Sequence, residues 1–522
     1  MPPPGPPPPR VGRSSALAGA ANLLGRMSGL VRDVVFAFFF GAGTTADAFH
    51  AAFRVPNLLR ELLAEGSLAN IFVPIFAEET EKKDLQDAWI LANAVLGVLL
   101  VVLGAVTLLF VALAEPFVFL VAAGFETVDG KVELATWLTR ILAPFLAGLS
   151  IASLFGGMLN VRGRFFLPAI APALLNLFVI AGCVLGEQWA QATGTPAIGA
   201  VAVAATLSGL CTAAIQYPAL RREGFRFRPT LRPHPAIGRI VRFLGAALIG
   251  ISVVQFNLLV ETQIASRFGD GPVTYLILGF RLVQLPMGVV SASIAVASLA
   301  GLSLLLARED RQGAQRTLSR ALELNALFVV PSAVGLYLLA DPLIALFYER
   351  GAFSAADTAA TAGILRMYAL AVVGICTYRV LLPVFFALKD PYLPMRLSLG
   401  VMAAKVPVAL GLVYTLNMGI DGLPLSHAIT VSAEVVALVW VLSRRLGWAP
   451  GFWQQQARIA VAATGMGGLV WALLPWASGW TTLLVCAVGG IAYLALASLL
   501  GVREVATLVS KLRPPPPPEV KP

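Results

Sequence analysis

The chain has 522 residues, 58% of them hydrophobic and only 13% charged, with a mean hydropathy of +0.82 and a formal net charge of +10. A soluble protein of this length carries roughly a quarter charged residues, so the composition points to an integral membrane protein. Long continuous apolar runs exclude a barrel of short alternating segments, and the basic residues lie between those runs, which argues against a nucleic-acid-binding role.

In chain order, residues 1–14 form a proline-rich tail, MPPPGPPPPRVGRS, with no apolar core directly behind a basic start. It reads as a polyproline-type tail rather than a signal peptide, and RPPPPPEVKP at the other end mirrors it. Between the tails lie about fourteen spans near the ~20 apolar residues a bilayer requires. They fall near 16–40, 45–77, 88–113, 134–160, 166–186, 197–220, 237–266, 273–307, 320–340, 358–388, 394–416, 421–442, 456–475 and 481–500. Every second connection is basic: Lys82/Lys83, Arg162/Arg164, then Arg221, Arg222, Arg226, Arg228 and Arg232. Arg308/Arg311/Arg316, Lys389, Arg444/Arg445 and Lys511/Arg513 continue the series. The alternate connections carry only Lys131, Arg267 and Arg350. The positive-inside rule then puts both termini in the cytoplasm, with an even number of spans.

An internal repeat is visible. FGAGTTADAFHAAFR at 40–54 pairs with FGDGPVTYLILGFR at 268–281, and FLP at 166–168 with YLP at 392–394, at offsets of 228, 227 and 226 residues. The expected fold is all-α and polytopic: two pseudo-symmetric six-helix lobes around a central cationic cavity, plus two C-terminal helices. The lobes occupy 15–220 and 237–446, joined by a basic cytoplasmic loop at 221–236. The last two helices fill 447–502, and 503–522 is a basic, proline-rich tail. Parallel halves of this kind place a substrate site between them.

The charges inside the apolar runs are the candidate site. Arg32 lies about ten residues before the outer turn near Gly41–Gly43, and Arg54 about ten after it, each roughly 15 Å deep. Arg281 is repeat-related to Arg54, so three arginines are expected at the midplane, with Arg26 and Arg60 about 9 Å nearer the cytoplasm. Asp33, Asp47, Glu61 and Glu65 are candidate counter-charges. Gly25 and Gly29 would allow the first helix to bend so that Arg26 and Arg32 see one cavity. Arginine suits phosphate because its planar fork stays protonated and binds oxygens bidentately, so an anionic substrate is implied, phosphate or diphosphate. Lys405 and Glu261 lie within spans of the second half, either as a buried pair or with Lys405 facing the cavity alone. GAGTTA lacks the preceding strand a dinucleotide site requires, and no P-loop, nucleophile elbow or acid-rich metal motif accompanies it. His50, His234 and His427 stand alone, as do the four cysteines, which form no CxxC pair.

FGAGTTADAFHAAFRVPNLLRELLAEGSLANIFVPIF (40–76) resembles the signature of the MurJ/MviN lipid II flippases of the multidrug/oligosaccharidyl-lipid/polysaccharide exporter superfamily. RLVQLPMG (281–288), LFYERGAF (346–353) and ALKDPYLP (387–394) extend the similarity over about 15–510. The resemblance implies fourteen helices, with the last two lining a groove for a lipid tail. It implies a non-enzymatic carrier of the bacterial inner membrane that moves undecaprenyl-diphospho-disaccharide-pentapeptide from the cytoplasmic to the periplasmic leaflet. The family's essential arginines match Arg26, Arg32, Arg60 and Arg281, and its acidic residues match Asp47 and Glu65. Two positions depart from the family: Glu61 follows Arg60 where many members carry a second arginine, and Phe280 replaces an acid. Glu261 matches an acid of a sodium site found in some members, where Lys405 stands in place of a neutral or acidic group. The Lys405 ammonium is therefore expected to substitute for sodium, leaving the membrane potential as driving force and no cofactor. Membrane lipids and cell-wall synthesis proteins are the further partners implied. A related exporter of other polyprenyl-linked oligosaccharides, or of drugs, is the alternative.

Overall fold

The computed structural model describes residues 11–63, 69–82, 84–232 and 234–505. Among them every regular element is helical. The chain divides into two compact units. The first runs to Thr274 and takes in Arg350–Phe353; the second holds Tyr275–Glu349 and everything from Ser354 onward.

The first unit contains α1 (Val11–Phe40), α2 (Thr44–Leu63), α3 (Ala69–Lys82), α4 (Leu85–Ala112), α5 (Ala114–Ala122) and α6 (Lys131–Leu142). It continues through α7 (Phe145–Val161), the short α8 (Phe166–Ala169), α9 (Ala171–Val184), α10 (Gly186–Thr193), α11 (Ile198–Arg222) and α12 (Pro235–Ala265). Its core gathers Phe72, Phe76, Trp89, Leu96, Phe155 and Phe225. The repeat and the packing divide the chain at different places. The repeat marks the junction at 221–236, whereas α12 packs on α2, α3, α4 and α5 and so belongs to the first unit. Where α7 meets α11 the backbones touch: a Cβ on Gly148 would lie 2.6 Å from the Gly209 carbonyl carbon. Only small residues allow helices this close, and in lipid such packing replaces the hydrophobic effect as the cohesive force.

The second unit starts within α13 (Pro272–Pro286), which passes through a π-turn at Met287–Ser291 into α14 (Ala292–Ala307). Then come α15 (Arg311–Leu338), α16 (Ala340–Tyr348), α17 (Ala355–Ala387), α18 (Tyr392–Leu410), α19 (Gly422–Arg445), α20 (Phe452–Leu473) and α21 (Thr481–Leu499). Leu318, Leu322, Phe385, Leu438, Leu442 and Phe452 make its core. The last two helices pack on each other, and α20 lies against α15.

Among the described residues, nine helices are long and apolar enough to cross a bilayer. The number is ten if α9 and α10, bent by 58°, form one crossing. The chain is thus a multi-pass membrane protein. The first two helices carry charge within their apolar runs: Arg26, Arg32 and Asp33 on α1, and Asp47, Arg54, Arg60 and Glu61 on α2.

Candidate functional site

The α1 arginines occupy different environments. Arg26 is exposed. Arg32 is largely enclosed, its side chain 18% accessible. Its Nε and Nη2 donate to Asp33 Oδ1 at 2.9 and 2.6 Å, and its Nη1 donates to Asn176 Oδ1 on α9 at 3.1 Å. Asn176 is itself buried and donates to the Gly25 carbonyl at 3.0 Å and to Ser28 Oγ at 2.9 Å. One amide therefore ties the backbone of α1 to the guanidinium seven residues further along the same helix. The glycines serve this contact. A Cβ on Gly25 would meet Pro172 at 3.3 Å, and one on Gly29 would meet Asn176 Nδ2 at 3.5 Å. They let α1 approach α9, and α1 runs as one helix through both of them.

On α2, Arg54 is half-buried and its Nη2 donates to Thr262 Oγ1 of α12 at 3.0 Å, beside the buried Glu261. Thr262 in turn donates to the Leu258 carbonyl, so a helix-internal hydroxyl orients the arginine. The Arg60 side chain and all of Glu65 lie outside the described residues.

Asp47 has different company from that expected of a counter-charge to the arginines. It lies two helical turns before Arg54, about 10 Å along the axis. It is fully buried, and its Oδ2 accepts from Lys131 Nζ at 3.0 Å and from Gly271 N–H at 2.9 Å. Its Oδ1 accepts from Thr274 N–H at 2.8 Å and Thr274 Oγ1 at 2.6 Å. Lys131 is also fully buried and completes its three bonds with the Gly269 carbonyl at 3.0 Å and Asp270 Oδ1 at 2.9 Å. Its ammonium sits 4.4 Å from the centroid of the Phe125 ring. Burial works against ionisation of Asp270. The hydrogen bonds from Lys131 and Thr44, with the Lys131 charge, outweigh it and hold that carboxyl below its ordinary range. This knot pins the 269–274 turn to the ends of α2 and α6. In the sequence Lys131 is one of only three basic residues in the alternate connections, which is the available signal.

In the second unit Arg281 is half-buried on α13, with Nη1 donating to Gln284 Oε1 at 2.9 Å. Lys405 on α18 is buried, and its Nζ lies 3.1 Å from His427 Nδ1 on α19. His427, which looked isolated in sequence, thus meets an intramembrane cation. Two turns away on the same helix pair, Ser398 Oγ donates to the buried Glu434 at 2.5 Å, and Tyr378 OH on α17 lies 3.1 Å from Ser398 Oγ. Asn176, Lys131, Thr262, His427 and Glu434 are the polar residues that sequence reasoning did not assign.

Within each unit, then, guanidinium and ammonium groups at membrane depth are held by carboxylate, amide, hydroxyl or imidazole partners. Charges inside membrane helices are the first candidates for a transport pathway. A family model described as lipid II flippase MurJ matches residues 36–488. The probable lipid II flippase MurJ of Bdellovibrio bacteriovorus is 34% identical over 446 residues, covering 85% of this chain and 83% of its own. The lipid II flippase MurJ of Burkholderia cenocepacia is 31% identical over 456 residues, covering 86% and 87%. A solved structure titled lipid II flippase MurJ, inward closed conformation, shares the fold, with a TM-score of 0.80 at 23% identity over 95% of this chain and 100% of that one. An inward-facing MATE multidrug transporter of the MOP superfamily shares it more loosely, with a TM-score of 0.65 at 15% identity over 82% and 98%. The chain belongs to the MurJ family of lipid II flippases.

Proposed function

We propose that this chain moves lipid II, the undecaprenyl-diphosphate-linked peptidoglycan precursor, from the cytoplasmic to the periplasmic leaflet by alternating access. Fourteen crossings leave both termini in the cytoplasm, and Arg26, Arg32, Arg54, Arg60 and Arg281 bind the diphosphate. The carrying observation is Arg32: a guanidinium within an apolar helix, pre-oriented by Asp33 and Asn176 yet still partly accessible. A fork held this way loses little freedom when it binds phosphate oxygens. Asp33 leaves the empty site tolerable, and the diphosphate, bearing more charge than one carboxylate, competes for the guanidinium. The membrane potential, negative inside, favours outward movement of the anion by about 2.3 kcal/mol per charge per 100 mV. The Lys405 ammonium, held against His427, takes the place of a coupling sodium ion.

Complementation of a flippase-depleted bacterium tests the reading. Arg32→Ala and Arg281→Ala variants should reach the membrane at normal levels yet fail to restore growth; full rescue by both refutes the arginine site. Strong sodium stimulation of transport, unchanged in Lys405→Met, refutes the substitution of lysine for sodium.

A further inference from the structure

The basic connection between α11 and α12 is docked along the first unit. Asn93 on α4 accepts from Arg228 N–H through Oδ1 at 2.8 Å and donates to the Arg226 carbonyl through Nδ2 at 3.1 Å. The Asn93 carbonyl accepts from Thr230 N–H at 3.1 Å. Further along α4, a Cβ on Gly97 would fall 2.2 Å from the Thr230 carbonyl oxygen, so the segment passes where only glycine lets it through. Phe225 is buried against Trp89 and Phe155, while Phe227 remains 45% exposed.

Held in this way, Phe227 joins the lining of an open apolar groove of about 500 Å³ on α7 and α11, lined also by Ile151, Phe155, Ala213, Ala214 and Tyr217. None of these belongs to the arginine site. Counting back from the last residues of the two helices, Arg222 and Val161, the groove runs from roughly 8 Å (Tyr217) to roughly 15 Å (Ile151). The lining thus covers about 7 Å of depth, all of it within the ~15 Å that one leaflet contributes to a ~30 Å core. Ala214, Tyr217 and Arg221 lie on one stripe of α11 at i, i+3 and i+7, so Arg221 stands at the mouth of the groove. Arg221, Arg222, Arg226, Arg228 and Arg232 are all exposed, and none forms an ion pair among the described residues. The nearby carboxylate, Glu223, is already taken by Arg162 at 3.0 Å and Arg164 at 2.7 Å.

We propose that this groove is a binding site for an anionic phospholipid of the cytoplasmic leaflet, its acyl chain lying between α7 and α11 and its phosphate held by Arg221 and Arg222. The groove lies within the depth of one leaflet and its mouth is uncompensated positive charge, which matches the upper part of an acyl chain below one acidic headgroup. Anionic headgroups are drawn to basic clusters at a membrane surface, and the exposed Phe227 and Leu231 suit the interface beside them.

The test uses the full chain, purified in detergent and titrated with phosphatidylglycerol or phosphatidylcholine while bound lipid is counted by native mass spectrometry. Phosphatidylglycerol should bind on the order of tenfold more tightly. Arg221→Ala with Arg222→Ala should remove most of that preference, and Ala214→Trp, which fills the groove, should weaken both lipids. If Ala214→Trp does not fold, Phe227→Ala, which opens one wall, should weaken both in its place. Equal binding of the two lipids by the unaltered chain, a preference retained in the double arginine variant, or undiminished binding in the folded groove variant overturns the proposal. Displacement of phosphatidylglycerol by an equimolar amount of lipid II also overturns it, because the groove would then belong to the substrate.

Discussion

Lys131→Met should be among the most damaging single changes in the first unit. The ammonium is fully buried and spends all three of its hydrogens on Asp47, Gly269 and Asp270. Removing it leaves the buried Asp47 carboxylate with donors from Gly271 and Thr274 but with no cation among the described residues. Breaking a buried pair from one side costs about 3–5 kcal/mol. The Asp270 contact adds less than about 1 kcal/mol, because that carboxylate is 45% exposed and screened by solvent. With a melting shift of about 2 °C per kcal/mol, the low end for domains of about 150–250 residues because this unit is larger, the loss is on the order of 10 °C. The assay is the thermal melting of a fluorescent fusion in detergent, followed by size-exclusion chromatography. Asp47→Asn in the same chain should restore several degrees by removing the stranded charge, so the two changes should be non-additive by about 0.5–3 kcal/mol. A shift of less than about 3 °C for Lys131→Met, or strict additivity with Asp47→Asn, refutes the view that the pair is coupled through burial.

Further outcomes follow from the same geometry. Asn176→Leu keeps the volume but removes the link from Arg32 to the α1 backbone; it should insert normally and fail to complement growth, and full complementation would show that Arg32 needs no positioning. Gly97→Ala forces a methyl into the Thr230 carbonyl at a cost of about 1–3 kcal/mol, and by undocking the segment should speed tryptic cleavage after Arg226 in folded protein. Burial opposes ionisation of Glu223, but its bonds to Arg164 and Arg162 prevail and set its carboxyl below the ordinary value. Its stabilising contribution is therefore complete above the unfolded-state value and disappears as pH falls through the lower, folded-state one. Glu223→Gln should flatten the acid side of the stability profile, measured as melting temperature between neutral and strongly acidic pH.

The helical, membrane-spanning character was legible because it rests on local facts: apolar length, and a helix's capacity to satisfy its own backbone in lipid. Arg32 and Arg54 were legible because a charge inside such a run has no inexpensive explanation. Their partners were not. Asn176 sits in PALLNLF, a segment with no distinctive pattern, and meets Arg32 across 144 residues of chain. Lys131 looked like an ordinary connection lysine; only the fold brings Asp47, Gly269 and Asp270 around it. Such pairings depend on helix register, which hydrophobic period leaves open. The helices α18 and α19 illustrate the point. Ser398 and Lys405 are seven residues apart on one helix, and Glu434 and His427 are seven apart, in the reverse direction, on the other. Antiparallel packing thus brings Ser398 to Glu434 and Lys405 to His427 in a single register. Sliding one helix by a turn, about 5.4 Å, would break both contacts at once and strand a buried acid and a buried base together. The two polar pairs therefore reinforce each other in fixing one alignment of this helix pair, a constraint that neither helix carries in its own sequence.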